Sequence, residues 1–348
     1  MRSATKTVVS IEGSKFCIDG QPTHAGKQWK GHSIEGQLFN SRMVQALADD
    51  ENPATRGVWM YPDQSEFSAE RNNAEFVAAL KDYRAHGLDA VGINLQCGSP
   101  QGYSFVQPWI LSAFNADGSL KQPWLARLDQ VITECDRLGM VVILGLFYWK
   151  QTRIFRDEQA ARDAVTNTVD WLAERGARNV LLEIGNEVDL PYYQPIIHVE
   201  RCHELVQLAQ QRAAGRFDTP SGRLLVSTSI CKREPVTPAL MACIDYLLFH
   251  GNVADHPDTL RLLARLNRAQ PAFRDMPVMV NEDDHFDFDK PDNNFAAAIG
   301  ENVSWGYFDY RMNREGFEEG FQSLPVDWSI STARKKGFFD MLKQVTGA

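Results

Sequence analysis

From about residue 72 onward, stretches with a helical apolar period alternate with short, nearly continuous apolar runs. This alternation predicts βαβ units wound around a parallel sheet. One helix gathers Phe76, Val77, Leu80 and Tyr83 on a face and stops at Gly87, ahead of the strand Ala90-Val91-Gly92-Ile93-Asn94-Leu95. A second carries Leu125, Leu128, Val131, Ile132, Cys135 and Leu138, stops at Gly139 and leads into a strand over 140–147. Glycine after the last turn ends a helix because it takes the left-handed conformation without steric cost. Further helices near 157–175, 198–213 and 257–268 separate strands at 180–184, 223–228, 246–249 and 277–280. Strands that are apolar on both faces are those covered by helices, as in a parallel sheet.

An early strand near 25–29 and a last one near 303–307 bring the count to eight, and 332–345 supplies a closing helix. The segment 8–20 reads as two short strands around Gly13, a hairpin placed to close the floor. The expected fold is therefore α/β, a (β/α)8 TIM barrel with an N-terminal β-hairpin. A Rossmann or flavodoxin-like sheet also alternates, but it calls for a Gly-rich phosphate turn after an early strand, and the sequence has no G-x-G-x-x-G. No linker, repeat or charge block divides the 348 residues, so residues 1–348 are expected to form one catalytic domain.

Composition narrows the partners. Apolar residues at 44% and charged residues at 23% describe a globular chain with a sizeable core. With a net charge of −9 and no cluster of Lys and Arg, the chain is expected to bind no nucleic acid. No run approaches 18 apolar residues, so no membrane partner is expected, and the start Met1–Ser10 lacks the apolar core of a leader. That start predicts a cytoplasmic protein, or one trimmed of its leader. The six cysteines form no C-x-x-C pair and read as reduced, mostly buried fillers. Oligomeric state is left open.

In a (β/α)8 barrel, reactive groups project from the C-terminal ends of strands. The fourth strand runs out at Ile184-Gly185-Asn186-Glu187 and the seventh at Val280-Asn281-Glu282-Asp283-Asp284-His285, which puts two glutamates at the mouth. Carboxyls from these strands can stand roughly 5 Å apart, the spacing of a retaining glycosidase. One must be protonated to assist the leaving oxygen and the other ionised to attack, so their surroundings must separate the two acidities.

Asn186-Glu187 after the fourth strand and Glu282 after the seventh resemble the signature of the large (β/α)8 clan of retaining glycoside hydrolases that includes the cellulase-like family. The segments Ile34-Glu-Gly36, Asn40-Ser-Arg-Met43, 281–294 and Ser304-Trp-Gly-Tyr-Phe-Asp-Tyr310 are similar to bacterial members of unsettled substrate. The resemblance implies that Glu187 is the acid/base, Glu282 the nucleophile and Asn186 a ligand of the sugar 2-hydroxyl. It also implies that Trp305 is the aromatic floor of the site and that His250, ending the sixth strand, touches the nucleophile. Where that pattern has Arg after strand two and His after strand three, this chain has Asn94-Leu95-Gln96 and Phe147-Tyr148-Trp149. Asn94 and Gln96 are therefore expected to contact substrate, with Tyr148 and Trp29 as stacking platforms because they directly follow strands.

The expected function is hydrolysis of O-glycosidic bonds in an oligo- or polysaccharide by double displacement, with a carbohydrate as the only ligand and no cofactor. A transglycosylase would share the mechanism, and an inactive carbohydrate-binding barrel would share the fold. No metal is expected. The acidic run 283–292 lacks the glycine and closing Glu of an EF-hand, and Gln207 stands where a zincin needs its second His.

Overall fold

The computed structural model describes residues 4–102, 104–312 and 314–348; Met1–Ser3, part of the segment read for a leader, lie outside them. The opening strands β1 (Val9–Glu12), β2 (Lys15–Ile18) and β3 (Gln21–Pro22) form an antiparallel sheet with Val9 opposite Ile18. Gly13 makes the first turn at φ 57, a conformation that strains any residue with a Cβ.

β4 (Gln28–Trp29) and β5 (His32–Ser33) pair with each other as an antiparallel ribbon. The early strand expected at 25–29 is thus not a barrel strand. The first barrel strand is β6 (Asn40–Arg42), whose polar side chains break the apolar run that marks the other strands. There follow α1 (Ala69–Ala85), β7 (Ala90–Asn94), α2 (Gln122–Arg137), β8 (Val141–Tyr148), α3 (Glu158–Arg175), β9 (Val180–Asn186) and α4 (Cys202–Ala213). The second half contains β10 (Leu225–Ser227), β11 (Ser229–Ile230), α5 (Pro238–Met241), β12 (Leu247–Phe249), α6 (Pro257–Arg268), β13 (Val278–Val280), α7 (Asn294–Gly300), β14 (Gly306–Tyr307) and α8 (Ala333–Thr346). Side-chain caps start several of the helices: Asp157 accepts from Ala160 N and Thr332 from Lys335 N.

Neighbouring barrel strands are all parallel. One sheet runs β10-β9-β8-β7-β6-β14 and another β11-β12-β13, and the bridges Met279–Ser304 and Asp283–Tyr307 join β13 to β14. β10 and β11 are halves of the fifth strand, parted at Thr228. The Thr228 hydroxyl donates to Gly185 O (2.9 Å) and accepts from Gly185 N (3.2 Å), replacing the ladder bonds lost at the break. Eight parallel strands closed in this way make the expected (β/α)8 barrel.

Side chains alternate across each strand. Val91 and Ile93 face the helices, while Ala90, Val141, Ile143, Leu181, Tyr246, Leu248 and Met279 fill the lower interior. Val9 and Phe16 of the hairpin pack onto this inner cluster and close the floor. Higher up the filling turns polar, with Arg42, Glu183 and Asn281 enclosed beneath the mouth.

Candidate active site

The chain leaves β9 through Asn186 and turns at Glu187, whose φ of 53 lies in the left-handed region that non-glycine residues rarely enter. The broken fifth strand holds this turn: Glu187 N donates to Ser229 Oγ and Val188 N to Ser229 O, both at 3.0 Å. Strain of this kind persists where surrounding bonds over-determine it, and it concentrates at functional sites. Glu282 lies two residues beyond β13, and its carbonyl accepts from Gly251 N at 2.7 Å, which joins the ends of strands six and seven. His250 directly follows β12.

These elements bring three side chains together. His250 Nδ1 is 3.0 Å from Glu187 Oε1 and 3.7 Å from Glu282 Oε2, and each residue places one such atom within 4.8 Å of the other two. Glu187 keeps 19% of its side chain exposed and Glu282 only 6%. Below them Arg42, from the first strand, sets its Nε 2.6 Å from Glu282 Oε2, an ion pair whose angle is not that of a hydrogen bond. Its Nη1 donates to Glu183 Oε2 at 3.2 Å and its Nη2 to Asn186 Oδ1, and Asn281 Nδ2 donates to the same Glu183 oxygen.

Opposing forces act on Glu282. Its carboxyl is raised to about 7 by the balance of them: burial pushes it up most, His250 and Arg42 pull it back, and the neighbouring Glu187 pushes it further up. His250 is pressed downward by burial, but the two carboxylates outweigh this and hold it above its ordinary value. Arg42 stays charged, because Glu183 and Glu282 more than offset its desolvation.

Above the carboxylates lies a cavity of about 320 Å³, lined by both glutamates and by Phe105, Tyr148, Trp149, Leu190, Pro191 and Tyr192, with Ser99 and Ser104 among its few other polar residues. Tyr148 is thus where the sequence places it. Asn186 is beside the site, but its amide oxygen is taken by Arg42, which leaves its NH2 for a ligand. Gln96 does not reach the cavity: its oxygen accepts from Tyr148 N (3.1 Å) and its amide donates to Ser112 and Gln151, so it fixes the wall from behind. Asn94 is likewise enclosed, against Gly145.

Two expected platforms are corrected. Trp29 belongs to the β4–β5 ribbon and lines a separate pocket with Phe288, Lys290 and Met341, away from both carboxylates. Trp305 is 0% exposed: it stacks on Phe295 at 4.9 Å, packs against Phe288 and Phe338, and donates its indole N–H to Asp283 Oδ2 (3.0 Å). It faces the helical layer, where its large apolar surface contributes to packing. Asp283 also accepts from Asn294 and His285, so this cluster anchors the segment that carries Glu282.

Glu187, His250 and Glu282 have ligand-type atoms close enough to hold a metal. The permanently charged Arg42 guanidinium at Glu282 occupies the electrostatic place of such a cation, which argues against one. In the second acidic group, Asp283 is already bound to Trp305, Asn294 and His285.

Arg42 is the functional residue that sequence reasoning missed. Its signal was a lone arginine in a short polar stretch, Asn40-Ser41-Arg42, set between the apolar pairs Leu38-Phe39 and Met43-Val44, where a buried charge demands a partner.

No family model and no curated protein sequence matches the chain. Solved structures do. An endo-1,4-beta-mannanase from Rhizomucor miehei is similar over 97% of this chain and 99% of its own, at TM-score 0.57 and 12% identity. An exo-beta-1,4-mannosidase from an Opitutaceae bacterium, strain TAV5, aligns over 97% of this chain and 62% of its own, at TM-score 0.58 and 14% identity. A GH5-4 broad-specificity endoglucanase from Clostridium longisporum aligns over 89% and 96%, at TM-score 0.56 and 10% identity. At these identities the likeness establishes the barrel fold, and function rests on the site.

Proposed function

We propose that this protein is a retaining glycoside hydrolase in which Glu187 is the general acid/base and Glu282 the nucleophile. One observation carries the reading: two carboxyls from strands four and seven share one cavity, with oxygens within 4.8 Å of the same His250 nitrogen and of each other. That separation leaves no room for a water between carboxylate and sugar, as inversion would require, and suits direct attack. The glycoside hydrolases among the structural neighbours agree with it.

The two roles follow from charge. Arg42 stands against Glu282 and offsets part of what burial costs its ionised form, which suits the attacking carboxylate, and Glu187, the more exposed carboxyl, is left to serve as acid and base. Glu282 attacks the anomeric carbon while Glu187 protonates the departing oxygen; Glu187 then removes a proton from water, which releases the sugar from Glu282. His250 bridges the carboxyls and steadies both charge states. The Asn186 NH2 is free to donate to the sugar beside the reacting carbon. A sugar acceptor in place of water would turn the same steps into transglycosylation.

The test is chemical rescue. With an activated aryl glycoside, azide should restore turnover to Glu187→Ala and give a glycosyl azide of retained configuration, whereas in Glu282→Ala it should give the inverted azide. Near wild-type hydrolysis by either variant, on a glycoside with an unactivated leaving group, would refute the role of that residue.

A further inference from the structure

Resting on that reading, the layer beneath the mouth gives a part to a third carboxylate. Along β9 every second side chain points inward, and Glu183 stands one layer above Leu181 of the inner cluster, enclosed and outside the lining of the catalytic cavity. Its Oε2 accepts from Arg42 Nη1 and from Asn281 Nδ2, both at 3.2 Å, so it joins the first strand to the residue directly before Glu282. Its Oε1 is buried without a hydrogen-bond partner. A carboxylate kept for stability alone would have both oxygens satisfied, because a buried charge is costly until its lone pairs are filled.

The guanidinium shows what this carboxylate does. Arg42 aims its two terminal nitrogens at Glu183 and Asn186. Glu282 receives charge alone: Arg42 Nε and His250 Nδ1 stand 2.6 Å and 3.7 Å from its Oε2, yet among the described residues that oxygen accepts no hydrogen bond. The only donor on the carboxyl is Asn252 Nδ2, at 3.4 Å from Oε1. Against the burial of Arg42, Glu183 does more than Glu282 to keep it charged. We propose that Glu183 is a positioning residue for the nucleophile: by holding the Arg42 guanidinium turned toward itself, it gives Glu282 a cation alongside but no donor on Oε2, which stays free to attack.

The groups that bear on Glu282 are Arg42 from strand one, Tyr148 from strand three, Glu187 from strand four, Cys231 from strand five, His250 from strand six and Asp284 from its own segment. Those that bear on Glu183 are Arg42, Tyr193 and Tyr246. Burial pushes the phenols and the thiol up, so they carry no charge near neutrality. Arg42 is thus the one cation that the two glutamates share.

The test is Glu183→Gln, which keeps the shape and an acceptor but removes the charge, so that the guanidinium can swing onto Glu282. Carbon-13 NMR of labelled glutamate side chains, assigned with Glu282→Gln, follows the Glu282 titration without turnover. A directed bond and an undivided charge both favour its ionised form, so the midpoint should fall by about one pH unit, opposite to the shift expected when Arg42 itself is removed. On a dinitrophenyl glycoside, whose departure needs no acid, kcat above the acid limb should fall about tenfold with KM unchanged, as when a hydrogen bond worth about 1.4 kcal/mol must break before attack. Glu183→Asp, which keeps the charge but draws it back, should show both changes in smaller measure, and it carries the comparison should the Gln variant not fold. A midpoint that stays or rises, or a kcat equal to wild type, would overturn the proposal. A lowered midpoint in a protein that cleaves no glycoside of any kind would uphold the hold of Glu183 on Arg42 and refute the glycosidase reading instead.

Discussion

Arg42 Nε and Glu282 Oε2 stand 2.6 Å apart with both side chains enclosed, and Glu183 closes the far side of the guanidinium. A fixed charge so near the attacking oxygen acts on its acidity and its aim together. Replacing Arg42 by Gln removes an influence that lowers the Glu282 pKa, so the acid limb of the kcat/KM profile should move to higher pH. Turnover at the optimum should fall roughly 10²–10³-fold, as when one preorganised electrostatic partner is lost. Arg42→Lys should recover the position of the limb better than the rate, since a point charge lacks the planar fork that reaches Glu183 and Asn186 together. The pH–rate profile of each variant decides this.

The opposite shift is expected on the other side of the pair. Glu187 raises the pKa of Glu282, so Glu187→Gln removes a raising influence and Glu282 should stay ionised to lower pH. In wild type the ionised fraction of Glu282 falls as pH drops through about 7, which puts the acid limb near neutrality. For Glu187→Gln, the burst of an activated aryl glycoside, which needs no acid, should persist below that pH. A limb that does not move would show that the two carboxyls do not sense each other.

Trp305 separates two roles that a sequence cannot. Because its indole bonds Asp283 and is packed in the helical layer, Trp305→Phe should cost about 1–3 kcal/mol of stability, measured by denaturant unfolding. KM on a small glycoside should stay close to wild type. A sugar platform would behave in reverse, with stability kept and KM raised.

Gly251 tests how tightly the ends of strands six and seven are fitted. A Cβ there would run into the Asp283 carboxylate, whose bonds to Trp305 and Asn294 leave it little freedom to move. Gly251→Ala should therefore displace His250 or Glu282 and lower kcat by tenfold or more, with a smaller effect on KM.

Chelation bears on the metal reading. With Arg42 charged at the site, dialysis against EDTA should leave activity unchanged. Loss that zinc or magnesium restores would mean the carboxyls hold a cation.

Much of the barrel was legible because helix-stopping glycines and apolar strands recur at regular spacing, and Glu187 and Glu282 stood out as charges directly after such runs. The first strand was missed for a physical reason: Asn40, Ser41 and Arg42 lie where the interior is polar, so β6 does not look like its neighbours. That one displacement carried Trp29 into the site and left Arg42 out of it. Trp305 was misjudged because β14 is two residues long, too short for alternation to show which side chain faces the helices. Gln96 was placed at the right strand end, but nothing in its neighbours foretells that its amide would hold Tyr148 from behind.

The N-terminal hairpin has a consequence for traffic. With Val9 and Phe16 pressed into the bottom of the barrel, the described residues close the floor and leave the mouth as the door to the catalytic chamber. On the proposed mechanism the departing alcohol and the incoming water must use it in turn, so an aglycone slow to leave would keep water waiting. Free alcohol accumulating in solution should then act as a competing acceptor as well as an inhibitor, and the balance between hydrolysis and resynthesis would be set by the queue at that door.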